Sequence, residues 1–284
     1  MEEIKRRNTY TKCMVCMALI VVLLPSICVQ VSSTAFASGF SYKTYQQFLD
    51  KYVVPGKYVA DIKLNVVDYD SIQRDLGMPE SLYEQILKQL LDFDPEVLLN
   101  REDRIAFWIN AYNIGAIKMI IDHYPVDSIR SWKINWLKNP WDKNILTIGN
   151  KTYSLGQIEH AILIGKYGEP LIHFAIVCAS LSCPEISPQV YEGARLMEQL
   201  SRQARQFVRD RKKGLWIRKE QGEVFFSKIF QFDKVTFPGG AEDAIPLITR
   251  FIEDEEDREY LQSGNFKIKY LDYNWNLNTL SEAH

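Results

Sequence analysis

The chain has 284 residues, of which 46% are hydrophobic and 25% are charged, the composition of an ordinary globular protein. This composition excludes disordered, collagen-like and fibrous proteins. The formal net charge is -2, from 34 basic and 36 acidic side chains, so the chain has no overall positive field that would attract phosphate groups. We therefore expect no nucleic-acid partner.

The first 37 residues have the pattern of a secretory signal. Basic side chains up to Lys12 precede an unbroken apolar run over residues 13–24, Pro25 breaks the run, and residues 35–37 (Ala-Phe-Ala) match a small-x-small cleavage pattern. We predict that residues 1–37 are a cleaved signal peptide and that the protein is secreted or periplasmic, with membrane contact only through this segment. The alternative is an uncleaved membrane anchor, although a bilayer-spanning helix needs about 20 apolar residues.

The remaining residues, 38–284, are predicted to form a single domain. They contain no low-complexity linker and no repeat of fixed period, the two features that would mark an internal boundary. Two of the five cysteines, Cys178 and Cys183, lie in this part of the sequence. The domain is therefore not a disulfide scaffold, and its stability must come from a hydrophobic core.

Apolar residues at three- and four-residue steps predict helices over most of the first half of this domain. The strongest pattern covers residues 102–124, where acidic residues lie at the positive end of the helix and a proline follows its end. Ser154 and Gln157 fit a capping box at the start of a helix over residues 154–164. The other predicted helices cover residues 42–52, a turn within 68–75 after extended residues 66–67, residues 81–93, and a short helix starting at residues 94–95.

Strand patterns are concentrated later in the chain. Residues 172–177 form a short apolar run typical of a strand buried on both faces. Further strands are predicted at residues 215–218, 223–227 and 266–271, with helices at 191–210 and 241–251. Helices first and strands later indicate an α+β fold, in which a helical N-terminal half packs on a mixed, mostly antiparallel sheet.

Several spaced motifs resemble one known family. They are FWINAYN at residues 107–113, SL with IEH at 154–160, HFA at 173–175, SCP at 182–184, FSKIF at 226–230, Asp233 with Phe237, and YNWNLN at 273–278. Together they resemble the domain-of-unknown-function family 547 over about residues 40–279, and in particular its secreted bacterial members with a single domain. The resemblance implies no activity, so the candidate site residues are judged by their chemistry.

Asn110 and Asn113 are three residues apart on the predicted central helix, so their side chains lie on one side of it. A buried amide without hydrogen-bond partners costs about 1–3 kcal/mol. The two residues therefore indicate either a functional site or a structural clamp that binds nearby backbone.

Three polar residues are candidates for acid–base chemistry. Glu159 and His160 are adjacent, so on an α-helix their side chains diverge by about 100° and only one of them can face a given site. His173 opens the predicted buried strand, and in papain-like and transglutaminase-like enzymes a general-base histidine begins a strand in a similar way. The alternative for each histidine is a core imidazole that hydrogen-bonds a backbone carbonyl.

Cys183 is the candidate nucleophile. It follows the predicted strand in a Ser-Leu-Ser-Cys-Pro stretch typical of a partly exposed loop, whereas Cys178 belongs to the strand and is predicted to be inert. Two alternatives use the same residues. One is a Cys178–Cys183 disulfide, and the other is a zinc site that adds His160 and His173, although its ligand spacing matches no common pattern.

These residues support a hypothesis of a papain-like thiol hydrolase or transferase that acts on an amide, ester or peptide-like bond. Cys183 would be the nucleophile and His173 the base, with Asn110, Asn113 or Glu159 orienting the imidazole or the oxyanion and His160 as a further candidate. We expect no cofactor. The alternative is a non-catalytic cell-envelope binding or structural module, in which an aromatic loop with Trp132, Trp136 and Trp141 contacts a small molecule or an envelope polymer.

Overall fold

The computed structural model describes residues 40–136 and 139–284, so the predicted signal at residues 1–37 lies outside the described residues. The first part contains α1 (Lys43–Tyr52), β1 (Val53–Val59), β2 (Ile62–Val67), α2 (Tyr69–Arg74), α3 (Leu82–Leu91), α4 (Arg101–Ile121), α5 (Trp132–Asn135), β3 (Asn144–Ile148) and β4 (Lys151–Ser154). The second part contains a π-helix (Gln157–Lys166), a 3-10 helix (Pro170–Phe174), α6 (Leu196–Arg209), β5 (Leu215–Arg218), β6 (Glu223–Phe226), α7 (Ile229–Phe232), α8 (Ala241–Thr249), α9 (Glu255–Ser263) and β7 (Lys267–Tyr270). The predicted α+β class is confirmed.

The strands form three small sheets. β1 and β2 pair as an antiparallel hairpin, and β3 and β4 form a second one. In the third sheet β6 is central, antiparallel to β5 and parallel to β7. The three late strands were predicted, but the two hairpins were not. In the first hairpin the turn is made by Ala60 and Asp61, both with positive φ, where Asn-Gly or Asp-Gly would have been the usual sequence signal.

Helix α4 is the centre of the hydrophobic core, as its sequence predicts. Every residue from 105 to 117 is buried, because α2, α6, β3, the π-helix and a 3-10 turn at Gly193–Arg195 pack around it. A helix that is apolar on all sides needs such a position. None of the helices in the described ranges is both long enough and apolar enough to span a bilayer.

The predicted strand at residues 172–177 is wrong. Residues Pro170–Phe174 form a 3-10 helix, in which Pro170 occupies the first turn and the Glu169 side chain accepts a hydrogen bond from the Leu171 amide at 3.2 Å. The run is buried as predicted. Apolar periodicity alone does not distinguish a short buried strand from a short buried helix.

Residues 271–279 run back along the loop that contains both cysteines. The amide of Leu181 donates to the carbonyl of Asn276 at 3.0 Å, and the amide of Asn278 donates to the carbonyl of Ala179 at 3.0 Å. We name residues 271–279 the return segment. Its pairing with the cysteine loop brings two of its aromatic side chains to the site described below.

The capping box predicted at Ser154 is present. The Ser154 amide donates to Gln157 Oε1 at 2.9 Å, and the Gln157 amide donates to Ser154 Oγ at 3.1 Å. We expect Ser154→Ala to lower the free energy of unfolding by about 1 kcal/mol, measured by urea denaturation. Ser131→Ala is the matched control, because Ser131 precedes α5 without making a capping hydrogen bond to the described residues. Equal losses for the two variants would contradict the prediction.

Candidate functional site

Most of the candidate residues line a single cleft of about 560 Å³. Its wall contains side chains from α4, the π-helix, the 3-10 helix, the cysteine loop, the region after α7 and the return segment. The titratable and sulfur-bearing residues on this wall include Glu159, His160, His173, Cys178, Cys183 and Asp233. A concave site with several convergent polar groups is the usual form of a binding or active site.

His173 lies between two carboxylates. Its Nε2 is 2.9 Å from Asp233 Oδ2 and 3.0 Å from Thr236 Oγ1, and its Nδ1 is 4.0 Å from Glu159 Oε1. Among the described residues Asp233 Oδ2 has no hydrogen-bond partner of good geometry, so its contact with the imidazole is electrostatic while Nε2 is hydrogen-bonded to Thr236. The His173 side chain is 6% exposed. The ring is therefore fixed in place with its two nitrogens toward opposite acids.

Asp233 is the ionised member of this group. Its Oδ1 accepts hydrogen bonds from the amides of Val235 at 2.9 Å and Thr236 at 3.2 Å. Burial alone would raise the pKa of Asp233, but the contacts with His173 and Thr236 outweigh it and hold the pKa below its usual range. The sequence identified Asp233 only as a family-like residue, together with Phe237, and did not predict that it belongs to the site.

The pKa of Glu159 is shifted in the opposite direction. Its side chain is 12% exposed, and burial raises its pKa despite the lowering effect of His173 and His160. The Tyr112 hydroxyl donates to Glu159 Oε2 at 3.1 Å, and Trp141 Nε1 donates to that hydroxyl at 3.1 Å. These bonds fix the carboxyl group in a largely apolar part of the wall.

Glu159 and His160 both line the cleft, so the expectation that only one of them could face it is wrong. The segment is a π-helix, which has more residues per turn than an α-helix, and adjacent side chains therefore diverge less. His160 is the more exposed of the two, and its Nδ1 is 3.8 Å from Asp233 Oδ1. A π-helix at a functional site is a common finding.

The cysteines differ from their predicted environments. Cys178 and Cys183 form a disulfide with their Cα atoms 6.3 Å apart, so the disulfide alternative describes this structure. Cys183 is buried rather than partly exposed, and Cys178 is not an isolated core residue, since both line the cleft. A disulfide sulfur is neither a thiolate nucleophile nor a zinc ligand, which excludes both roles while the pair is oxidised.

The two asparagines act as clamps on backbone. Asn110 Nδ2 donates to the Tyr191 carbonyl at 2.8 Å, and its Oδ1 accepts from the Tyr191 amide at 3.0 Å. Asn113 makes the same pair of bonds with the Ala175 carbonyl at 3.0 Å and the Val177 amide at 2.9 Å. The side-chain amides of both residues form these hydrogen bonds with buried backbone groups. The structure therefore gives no support to the hypothesis that either residue orients the imidazole or the oxyanion.

Ligand atoms of Glu159, His173 and Asp233 lie within 4.8 Å of one another, a spacing compatible with a metal ion. However, the two carboxylates approach opposite nitrogens of the imidazole. With an ion on one nitrogen, the carboxylate at the other nitrogen would be the usual partner of a metal-bound histidine. The arrangement is therefore compatible with metal binding as well as with proton transfer.

An aromatic cluster forms another part of the wall. Trp275 is at its centre, with ring centroids 4.4 Å from Tyr273, 5.6 Å from Phe232 and 6.1 Å from Trp141. The Arg130 guanidinium lies 4.8 Å above the Trp275 ring. Of the predicted aromatic loop, Trp141 lines this wall, whereas Trp132 and Trp136 are exposed and contact each other edge to face.

The fold and the site define an α+β protein whose cleft contains a histidine between two acids of opposite pKa shift. Residues 97–208 match the model of the family described as protein of unknown function, DUF547, which confirms the resemblance to this family over these residues. The match covers α4, His173 and both cysteines, while Asp233 and the return segment lie beyond it. Comparisons with curated proteins and with solved structures gave no significant match.

Proposed function

We propose that the protein is a hydrolase or transferase that acts on an amide, ester or peptide-like bond in this cleft. The observation that carries the proposal is the position of His173 between Glu159, whose pKa is raised, and Asp233, whose pKa is lowered. Two acids whose environments shift their pKa values apart are typical of an acid–base catalytic site.

In this proposal each group has a separate role. Asp233 and Thr236 hold the Nε2 side of the imidazole, which leaves Nδ1 as the general base. Nδ1 accepts the proton of the nucleophile as that group attacks the carbonyl carbon. Glu159, whose raised pKa favours the protonated carboxyl group, donates its proton to the departing nitrogen or oxygen. Transfer of a proton from the imidazolium to Glu159, across the 4.0 Å between Nδ1 and Oε1, restores the starting state.

The identity of the nucleophile depends on the cysteine pair. In the disulfide form a water molecule activated by His173 has to attack the carbonyl carbon. The papain-like form of the proposal, with Cys183 as nucleophile, requires a reduced pair. If the predicted signal at residues 1–37 directs export, the accessible substrates include cell-envelope polymers with amide and ester bonds.

We expect His173→Gln and Glu159→Gln each to lower the turnover rate at least about 100-fold. The assay follows the release of nitrophenol from nitrophenyl esters, and of nitroaniline from aminoacyl nitroanilides, with oxidised and with reduced protein. His123→Gln is the matched control, since His123 bonds the Met119 carbonyl at the end of α4, away from the cleft wall.

The binding-module alternative makes a different prediction. It expects no turnover of either substrate class in either redox state, together with undiminished affinity of the His173→Gln variant for any ligand that the wild-type protein binds. That combination of results would contradict the proposed function. Turnover that persists in both the His173→Gln and Glu159→Gln variants would contradict the proposed roles.

A further inference from the structure

We propose that the Cys178–Cys183 disulfide is a redox-active site and that its reduction releases Cys183 as the nucleophile of the cleft. The nucleophilic role rests on the proposed function, whereas the redox role does not. Both cysteines line the same cleft as His173. Both cysteines are buried, and the disulfide joins two nearby residues of one loop at the wall of this cavity.

The two sulfur atoms have different surroundings. Cys183 Sγ accepts a hydrogen bond from the Cys178 amide at 3.1 Å and another from the Tyr273 hydroxyl at 3.4 Å. The Ser180 hydroxyl donates to the Tyr273 oxygen at 3.1 Å, so the hydrogen of the phenol is free to point at sulfur. Donors aimed at sulfur favour the thiolate over the thiol.

Cys178 Sγ contacts the hydroxyls of Ser180 at 3.1 Å and Tyr273 at 3.3 Å. Among the contacts of the described residues, a backbone amide donates to Cys183 Sγ and none donates to Cys178 Sγ. Fixed amide donors require no hydroxyl rotation when charge develops on the sulfur. This asymmetry assigns the thiolate of the reduced pair to Cys183.

The loop backbone is held in place independently of the disulfide bond. Ala179 has a φ of 59°, which turns the chain back directly after Cys178, and its carbonyl accepts from the Asn278 amide at 3.0 Å. The amide of Leu181 is bonded to the return segment as well. Because these bonds remain after reduction, the two sulfurs stay close enough to form the disulfide again.

The chemistry requires a dithiol as reductant. The dithiol supplies two electrons and two protons and becomes a disulfide. One proton converts Cys178 to a thiol, and the other is released to solvent, which leaves Cys183 as a thiolate. The thiolate then attacks the carbonyl carbon of the substrate, Glu159 protonates the leaving group, and a thioester with Cys183 remains. Water hydrolyses this thioester, with its proton taken by His173, which releases the acid and restores the thiolate. The imidazolium then returns this proton to Glu159, so that both groups regain their starting state.

Alkylation tests the redox site without any substrate. In the oxidised protein neither Cys178 nor Cys183 is expected to take up iodoacetamide. After reduction with dithiothreitol and its removal under argon, Cys183 is expected to react at pH 7 at least about ten times faster than Cys178, as measured by peptide mass mapping. Tyr273→Phe is expected to reduce this ratio. Equal rates, a faster Cys178, or thiols that react only in urea would overturn the assignment.

Two matched variants test the nucleophile. Cys178→Ser cannot form the disulfide and is expected to turn over nitrophenyl esters without reductant, whereas Cys183→Ser is expected to remain inactive with or without it. If Cys178→Ser does not fold, as judged by near-UV circular dichroism, wild-type protein with and without dithiothreitol provides the same comparison.

The two proposals fail in different ways. Oxidised protein as active as reduced protein would overturn the release of a thiol nucleophile and would leave the proposed function with water as the attacking group. A fast-reacting Cys183 without turnover of either substrate class would support the redox site and overturn the nucleophilic step.

Discussion

Replacing Asp233 by asparagine is expected to lower the free energy of unfolding by about 3 kcal/mol at pH 7. The carboxylate is 6% exposed, contacts His173 Nε2 at 2.9 Å, and accepts two backbone amides. An asparagine in its place can keep the two amide bonds through its oxygen, but it removes the charge that faces the imidazole. Urea denaturation of the two proteins measures the difference.

The pH dependence of this loss has a defined sign. The pKa of Asp233 is lower in the folded protein than in the unfolded chain, where it is about 3.9. Its stabilising effect is therefore complete above about pH 4 and is lost as the pH falls further. The difference between wild-type protein and Asp233→Asn should shrink below pH 4.

Glu159→Gln is the matched control, and its expected effect on the free energy of unfolding at pH 7 has the opposite sign. Burial raises the pKa of Glu159 in the folded protein, so the folded state holds this proton more tightly than the unfolded chain does. That contribution is present at low pH and is lost as the pH rises above about 4.3. Since glutamine stays neutral, the variant should be more stable than wild-type protein at pH 7. Destabilisation by both substitutions at pH 7 would contradict the assigned shifts.

The second large effect is expected from Asn113→Ala, which should lower the free energy of unfolding by about 3 kcal/mol. The substitution leaves the Ala175 carbonyl and the Val177 amide buried without their partner, and each such group costs about 1–3 kcal/mol. Hydrogen exchange of the Val177 amide should accelerate along with the loss measured in urea.

Asn110→Ala is the comparison for this variant. It should cause a similar loss of stability, because Asn110 makes the same two bonds with Tyr191. Only Asn113 holds the backbone next to Cys178, so only its replacement should change the rate at which the reduced cysteines are alkylated. An equal effect of both variants on alkylation would mean that general loosening of the fold, rather than the local clamp, controls the cleft.

Much of the helical framework could be predicted, because its signals are local. Residues 102–124 contain an apolar pattern, an acidic start and a following proline, and α4 occupies most of this range. Ser154 and Gln157 are three residues apart and form the predicted capping box. The hairpin of β1 and β2 was missed because Pro55 and Gly56 interrupt its alternation, at the place where the register shifts.

The sequence predicted only those site residues whose residue type and position in a motif are themselves informative. His173 and Glu159 were identified because histidine is scarce and because the two residues fall in family-like motifs. Asp233 and Tyr273 are also family-like residues, but they reach the cleft from distant parts of the sequence, 60 residues or more from their partners. Such contacts depend on tertiary packing, which periodicity and spacing do not encode.

The positions of Cys178, Cys183 and Tyr273 in the sequence separate two steps of folding, the pairing of the cysteines and the arrival of the tyrosine. Cys178 and Cys183 are five residues apart, whereas the Tyr273 hydroxyl that contacts both sulfurs comes 90 or more residues later. Short loops close faster than long ones, so the two thiols can meet before the return segment reaches them. A partly folded chain can therefore be oxidised before its cleft exists, and the Tyr273 hydroxyl then reaches a bond that has already formed.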